Sequence, residues 1–157
     1  DRPQPATACL VQDRIGAVNA AAYDINAVCA GFVFALLTGA QLLAGTETGI
    51  APGYGLVIGA DTYSRIIDPQ DRRTAPLFGD GAGAVVLGPV PSDRGLVGGG
   101  AATDGGRHGD IRVEAGGSRL PASEKTVYEE MHFFRMEGRR VREYVTEQLP
   151  RAVQEVL

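Results

Sequence analysis

Lysine is nearly missing from this sequence. Lys125 stands alone against 14 arginines, and with 19 acidic residues the 157-residue chain has a formal net charge of −4 at pH 7. That balance, with no basic stripe interleaved with aromatics, excludes a nucleic-acid partner. Cysteine is scarce as well, at Cys9 and Cys29. Two cysteines, no cysteine-rich framework and no opening secretory signal exclude a disulfide scaffold and point to a reducing compartment, so the expected localisation is cytoplasmic. The apolar run from Cys29 to Ala44 falls short of the roughly 20 residues of a membrane span and carries Gln41, so it reads as a buried core helix and no membrane partner is expected.

Glycine, by contrast, is abundant at 22 residues, and it punctuates the apolar runs. The stretch Tyr23-Asp24-Ile25-Asn26-Ala27-Val28-Cys29-Ala30-Gly31-Phe32 organises the rest of the chain. Tyr23, Ile25 and Ala27 alternate with Asp24, Asn26 and Val28 as in a short strand, and from Ala30 to Gly45 the sequence turns to helix formers and small residues. Cys29 therefore falls where a strand becomes a helix. There a thiol has unpaired helix N–H groups and the positive end of the helix dipole beside it, and a sharp turn to present its sulfur. These conditions favour thiolate, the form that attacks carbonyls and thioesters. The alternative for Cys29 is a small buried hydrophobe, and at this level both stand.

Before this stretch, Pro5 to Ile15 reads as a short helix ended near Gly16, with Cys9 packed on its apolar side. After it, the central helix is apolar nearly all round, so enclosing neighbours are expected, with Gly31, Gly39 and Gly45 marking close backbone approach. A loop from Thr46 to Gly53 leads to Gly55–Asp61, an apolar strand expected to be covered on both faces. Tyr63 to Arg73 is a polar connection. The turn Phe78-Gly79-Asp80-Gly81 precedes a second buried strand, Ala82–Leu87. It lacks the Gly-Lys-Ser/Thr ending of a phosphate loop and opens a strand instead of a helix, so no phosphate site is assigned to it. Strand, helix, strand, connection, strand is the grammar of an α/β sheet with helices on both sides.

Past Pro89 and Pro91 the composition shifts, as at a junction. Gly95–Val97 reads as a strand and Ala102 to about Glu124 as a long irregular segment. From Gly138 onward Val141, Tyr144, Val145, Leu149, Ala152, Val153 and Val156 keep helical spacing, with Pro150 expected to kink or split the helix. Arg139, Arg140, Arg142 and Glu143 read as its solvated face.

Several of these segments, in this order, resemble the β-ketoacyl-(acyl carrier protein) synthase III family of thiolase-like enzymes. They are Asp24 to Phe32 with its Cys-Ala-Gly-Phe core, Gly59-Ala60-Asp61, Asp68-Pro69-Gln70-Asp71-Arg72, Phe78-Gly79-Asp80-Gly81-Ala82-Gly83-Ala84, Ala102-Thr103-Asp104-Gly105 and Met136-Glu137-Gly138. The resemblance runs over essentially the whole chain. It implies an α/β fold, a thiolase-like layered αβαβα sandwich of which this chain is an interior part. Residues 1–91 would be the latter part of the N-terminal half, carrying the nucleophile, and 92–157 the start of the C-terminal half. It also implies that Cys29 takes an acyl group from acyl-CoA and that the acyl-enzyme condenses with a malonyl carrier-protein thioester as carbon dioxide leaves, priming fatty-acid or polyketide synthesis. Acyl-CoA and acyl carrier protein are the implied partners, a homodimer the implied assembly, and no metal or redox cofactor is required. Arg72 matches the arginine that packs against the adenine of coenzyme A, and Phe78 a position lining the acyl pocket. Read without the family, Arg72 is a surface ion pair with Asp71 or Asp68, and Phe78 is core packing.

The family's carbanion-stabilising histidine and asparagine, in His-Gln-Ala-Asn-like and Gly-Asn-like segments, have no counterpart here. Neither His108 nor His132 has the motif around it. The expectation is that this is an interior piece of a longer protein, and that those residues lie outside it. Gln4 stands where many relatives have an aromatic that reaches into the neighbouring subunit's pocket, which points to a larger or more polar starter unit. Two other classes stay open: a synthase-like acyltransferase that passes the acyl group to an alcohol or amine, and a non-catalytic relative.

Overall fold

A computed structural model describes residues 3–45, 53–91 and 93–157. The loop expected from Thr46 lies outside the described residues except for Gly53. The chain packs as two compact units, Asp1–Ile58 with Val85–Pro89 and Gly59–Ala84 with Val90–Leu157.

In the first unit, helix α1 (Thr7–Arg14) begins at Ala6, which has no side chain able to cap it. Its first N–H groups are satisfied from a distance: the Asp24 carboxylate accepts from Thr7 N–H at 2.8 Å and from Ala8 N–H at 2.9 Å. It ends where the sequence predicts. Gly16 takes φ +68° and donates to Asp13 O at 3.0 Å, and Ala17 N–H donates to Gln12 O at 3.1 Å, the paired closure that a left-handed glycine permits. The alternation over Tyr23–Val28 does not produce a strand, because no neighbouring strand pairs with it among the described residues. The segment runs into a short 3-10 turn, Val28–Ala30, and then helix α2 (Gly31–Ala44).

Helix α2 meets strands β1 (Gly55–Thr62) and β2 (Asp80–Leu87), which pair in a two-stranded sheet. The contact is made through Gly39, where an added Cβ would lie 3.1 Å from Leu87 Cδ1 and 3.4 Å from Val57 Cγ2. Gly31 has open space around it, so close approach is not its reason. Neither α2 nor the strands are enclosed as their composition suggests. Helix α2 has no buried residue, Val57 is the buried residue of β1, and Leu56 and Val86 are 46% and 68% exposed. One helix on a two-stranded sheet can cover only one side of each.

The second unit is built on strands β3 (Ile111–Val113) and β4 (Phe134–Met136), antiparallel, with Ile111 facing Met136, Arg112 facing Arg135 and Val113 facing Phe134. Two arginines opposite each other repel unless each has an anion. Arg112 has Glu114, and Arg135 has Asp68 at 3.6 Å. Phe134 is 3% exposed, its N–H donates to Ile66 O at 2.7 Å, and its ring meets those of Tyr63 and Phe78. Between the two strands, residues 114–133 fold back on themselves around helix α3 (Glu124–Tyr128). Ser123 and Thr126 close a reciprocal cap at its start, and Thr126 Oγ1 lies 2.9 Å from His132 Nε2.

Helix α4 (Gly138–Val156) follows β4 directly. Pro150 does not split it. The missing proline N–H removes one bond, but the ion pair Glu147–Arg151 at 3.3 Å spans the site, and Arg139–Glu143 at 3.0 Å supports the first turns. Asp110, 5% exposed, sits between Arg140 Nη1 at 3.1 Å and Arg107 Nη1 at 3.4 Å, and the Arg107 guanidinium lies over the Tyr144 ring. Gly95–Val97 is not a strand: Gly95 takes φ +106° and Val97 is almost fully exposed. The segment read as irregular from Ala102 contains a 3-10 turn at Gly105–Arg107 and the whole of β3. Among the described residues, no helix is long and apolar enough to cross a membrane.

Candidate active site

Cys29 lies at the centre of the Val28–Ala30 turn, exposed and with a free thiol, two residues before the start of α2 at Gly31. The turn is tight. Ala30 N–H donates to Ala27 O at 3.1 Å, and Gly31 N–H donates to Val28 O. Val28 itself takes φ +47°, a conformation that a β-branched residue adopts only under constraint. Its N–H is oriented toward Asn26 Oδ1 at 3.4 Å. Helix α2 therefore begins directly after the turn that carries Cys29, with the Ala30 and Gly31 N–H groups held by Ala27 O and Val28 O. Cys9, half-buried on α1, donates its thiol to Ala22 O at 3.6 Å, a packing role in keeping with its sequence context.

In the second unit, both carboxylates that could neutralise Arg72 are already engaged. Asp68 accepts from Gln70 N–H at 2.9 Å and pairs with Arg135. Asp71 accepts from Arg73 Nε at 3.0 Å, from Arg73 N–H at 3.1 Å and from Thr74 Oγ1 at 3.0 Å. The Arg73 side-chain hydrogen bond, followed by its backbone N–H, holds the Asp71 carboxyl below the usual aspartate range, and the same bond raises Arg73. Arg72 is exposed and has no ion pair or hydrogen bond among the described residues. The ion-pair reading of the sequence thus falls on its neighbour.

Phe78 is half-buried and stacks on Tyr63, centroids 5.0 Å apart and planes at 12°, with Phe134 edge-on at 4.8 Å. The beginning of β2 is pinned by Asp80, which accepts from Ser64 N–H at 2.7 Å and Ser64 Oγ at 2.6 Å. The Ser64 hydroxyl is the main reason that the Asp80 carboxyl is lowered. Sequence reasoning missed Asp24, Asp80 and the ring partners of Phe78. Each contact joins residues 16 or more positions apart or separate elements, and no local pattern announces it. Cys29 belongs to the first unit and Arg72 and Phe78 to the second. Phe78 is brought together with Tyr63 and Phe134, while Arg72 has no ion pair or hydrogen bond among the described residues.

Residues 23–105 match the family described as 3-oxoacyl-[acyl-carrier-protein (ACP)] synthase III. The chain is 51% identical over 155 residues to acetoacetyl CoA synthase NphT7 of Streptomyces sp. strain CL190, covering 98% of this chain and 46% of that protein. It is 45% identical over 153 residues to the β-ketoacyl-[acyl-carrier-protein] synthase III of Caldanaerobacter subterraneus subsp. tengcongensis, covering 98% and 45%. The crystal structure of a 3-oxoacyl-(acyl-carrier-protein) synthase III superposes with a TM-score of 0.85 at 31% identity, over all of this chain and 49% of that one. The chain thus spans about half the length of the relatives it matches. The motifs around Cys29, Arg72 and Phe78 lie within the matched region, and the chain belongs to the 3-oxoacyl-[acyl-carrier-protein] synthase III family, with its thiolase-like α/β fold.

Proposed function

We propose that the protein containing this chain is a condensing enzyme that primes fatty-acid or polyketide synthesis, with Cys29 as its nucleophile. The observation that carries this reading is the exposed thiol at the entrance to α2, inside the region that matches the family. The Cys29 thiolate attacks the carbonyl carbon of an acyl-CoA, backbone N–H groups at the helix opening stabilise the oxyanion, and coenzyme A leaves as its thiolate. A malonyl thioester then loses carbon dioxide, and the resulting carbanion attacks the Cys29 acyl group. A new carbon–carbon bond forms, and the Cys29–acyl bond breaks to return the thiolate.

Arg72 stacks on the adenine of coenzyme A in this reading, which is supported by its exposure and by its having no ion pair or hydrogen bond among the described residues. Phe78 lines the acyl pocket in this reading, held in place by its stacking on Tyr63. In this reading the carbanion-stabilising histidine and asparagine are not supplied by His108 or His132, which lack the family's motif. Residues 1–91 are then the latter part of the N-terminal half and 92–157 the start of the C-terminal half, in a cytoplasmic homodimer that needs no metal or redox cofactor.

Two acceptors are distinguished. Family membership favours a malonyl carrier protein, and the 51% identity to an acetoacetyl CoA synthase favours an acceptor thioester on coenzyme A. The test is to incubate the full-length protein with radiolabelled acyl-CoA, map the label, and measure carbon dioxide release from malonyl carrier protein and from malonyl-CoA. Label on Cys29, absent in Cys29→Ala, with release from one acceptor is the expected result. Label on Cys9 or on no cysteine overturns the assignment. Label on Cys29 that passes to an alcohol or amine, with no release from either malonyl thioester, replaces condensation by simple acyl transfer.

A further inference from the structure

Three features of the first unit converge on the residues that precede Cys29. The Asp24 carboxylate, five residues before the thiol, accepts both leading N–H groups of α1 at 2.8 and 2.9 Å. Asn26 Oδ1 receives the Val28 N–H. Val28 stands at φ +47° with its side chain 61% exposed, so packing of its own isopropyl group does not hold it there. A β-branched residue in the left-handed region returns to negative φ unless its flanks are fixed on both sides. On the C-terminal side, Val28 O is fixed by Gly31 N–H as the turn enters α2. On the N-terminal side, the fixed point is Asp24 on the end of α1.

We infer that Asp24 and Val28 act as one positioning device for Cys29, in which the clamp on α1 holds the segment short enough to keep Val28 left-handed, and Val28 in turn keeps the thiol at the opening of α2. Asp24 is a positioning residue and touches no substrate. The inference rests on the reading of Cys29 as the nucleophile, but it concerns the placement of the thiol and not what the thiol attacks. Released from Asp24, the segment relaxes at Val28 and carries Cys29 away from the helix N–H groups. With glycine at position 28 the left-handed conformation carries no steric cost, and the clamp has nothing left to enforce.

A double-mutant cycle on the full-length protein tests the coupling. The readout is the rate at which iodoacetamide alkylates Cys29, followed by mass spectrometry of the Cys29 peptide so that Cys9 does not contribute. Asp24→Ala is expected to slow alkylation about tenfold with Val28 in place and less than twofold in a Val28→Gly background, with Asp24→Asn intermediate because it keeps one acceptor oxygen. A capping role confined to α1 gives the same slowing in both backgrounds, and that result, or no slowing in either, overturns the inference. Should Asp24→Ala fail to fold, the Asp24→Asn pair decides by the same criterion. Alkylation does not depend on the substrate. Acyl label retained in Cys29→Ala would therefore defeat the nucleophile reading while leaving the cycle to stand or fall separately.

Discussion

Replacing Arg72 with alanine separates a residue kept for a ligand from one kept for the fold. Arg72 is exposed and has no ion pair or hydrogen bond among the described residues, while Asp71 and Asp68 are satisfied by Arg73, Thr74, Gln70 and Arg135. Arg72→Ala should therefore change unfolding free energy by no more than about 0.5 kcal/mol, the usual range for a surface substitution. Its effect on substrate is worked out differently. A guanidinium over an aromatic ring at an exposed site contributes about 0.5–1 kcal/mol, and a further contact to a coenzyme phosphate brings the sum to about 1.4 kcal/mol, or tenfold in affinity. The expected outcome is a rise of about tenfold in the apparent KM for acyl-CoA with kcat little changed, the signature of lost uniform binding. Arg72→Lys keeps the charge and loses the planar stack, so its KM should fall between the two. The assay is acyl transfer to Cys29 from acyl-CoA and from the same acyl group on pantetheine, which has no adenine. Equal loss with both donors, or a clear fall in Tm, would refute the argument and make Arg72 structural.

Phe134→Ala removes a ring that is 3% exposed and touches Tyr63 and Phe78, so it should destabilise the protein by about 3–5 kcal/mol in guanidinium unfolding followed by near-ultraviolet circular dichroism. A loss below about 1 kcal/mol would show that the three rings are not a core. Among the described residues, three carboxyls have lowered folded pKa values: Asp71 through Arg73, Asp80 through Ser64 and Glu114 through Arg112. Their stabilisation is present above the ordinary values, 3.8 for aspartate and 4.5 for glutamate, and is lost as pH falls through the lower folded values. The Tm difference between the wild-type protein and Asp80→Asn should accordingly be largest above pH 5 and close as the pH falls below that range. A gap that stays constant to pH 2 would contradict the assignment.

Elements with long patterns were legible from the residues. Gly16 ends α1, the change of period at Cys29 becomes the entrance to α2, glycine and aspartate bound the reading of β1, and β2 takes in the expected strand from Ala82 but begins two residues earlier, at Asp80. What escaped has physical reasons. β3 and β4 have three residues each, too few for any period, and they are fixed by pairing with each other. Tyr23–Val28 has the alternation of a strand without a ladder, since alternation describes which side chains seek cover and not which backbone groups find partners. Pro150 lowers helix stability, yet α4 stays whole, with one ion pair spanning the proline and another in its first turns. At the candidate site, the motif singled out Cys29, Arg72 and Phe78 as candidates, but it could not show that Arg73 and not Arg72 takes Asp71. That distinction depends on which way a turn directs two adjacent guanidinium groups.

The folded-back segment 114–133 has a consequence for how this protein can vary. It leaves β3 after Val113 and returns at Phe134, and these two residues face each other across the ladder, so its ends are already together. Its interior is closed by its own bonds: Ala115 N–H to Met131 O, Gly116 N–H to Leu120 O, Met131 N–H to Thr126 O, and the Thr126–His132 contact. Such a segment is a cassette. Lengthening an exposed turn within it, away from buried Ala115 and Thr126, changes the closure entropy slowly, about 0.6 kcal/mol per doubling. Insertions, deletions and grafts from relatives are therefore tolerated here more readily than at the ring cluster or the Cys29 turn, and sequence drift in this segment can alter the surface it presents while the register of β3 and β4 stays fixed.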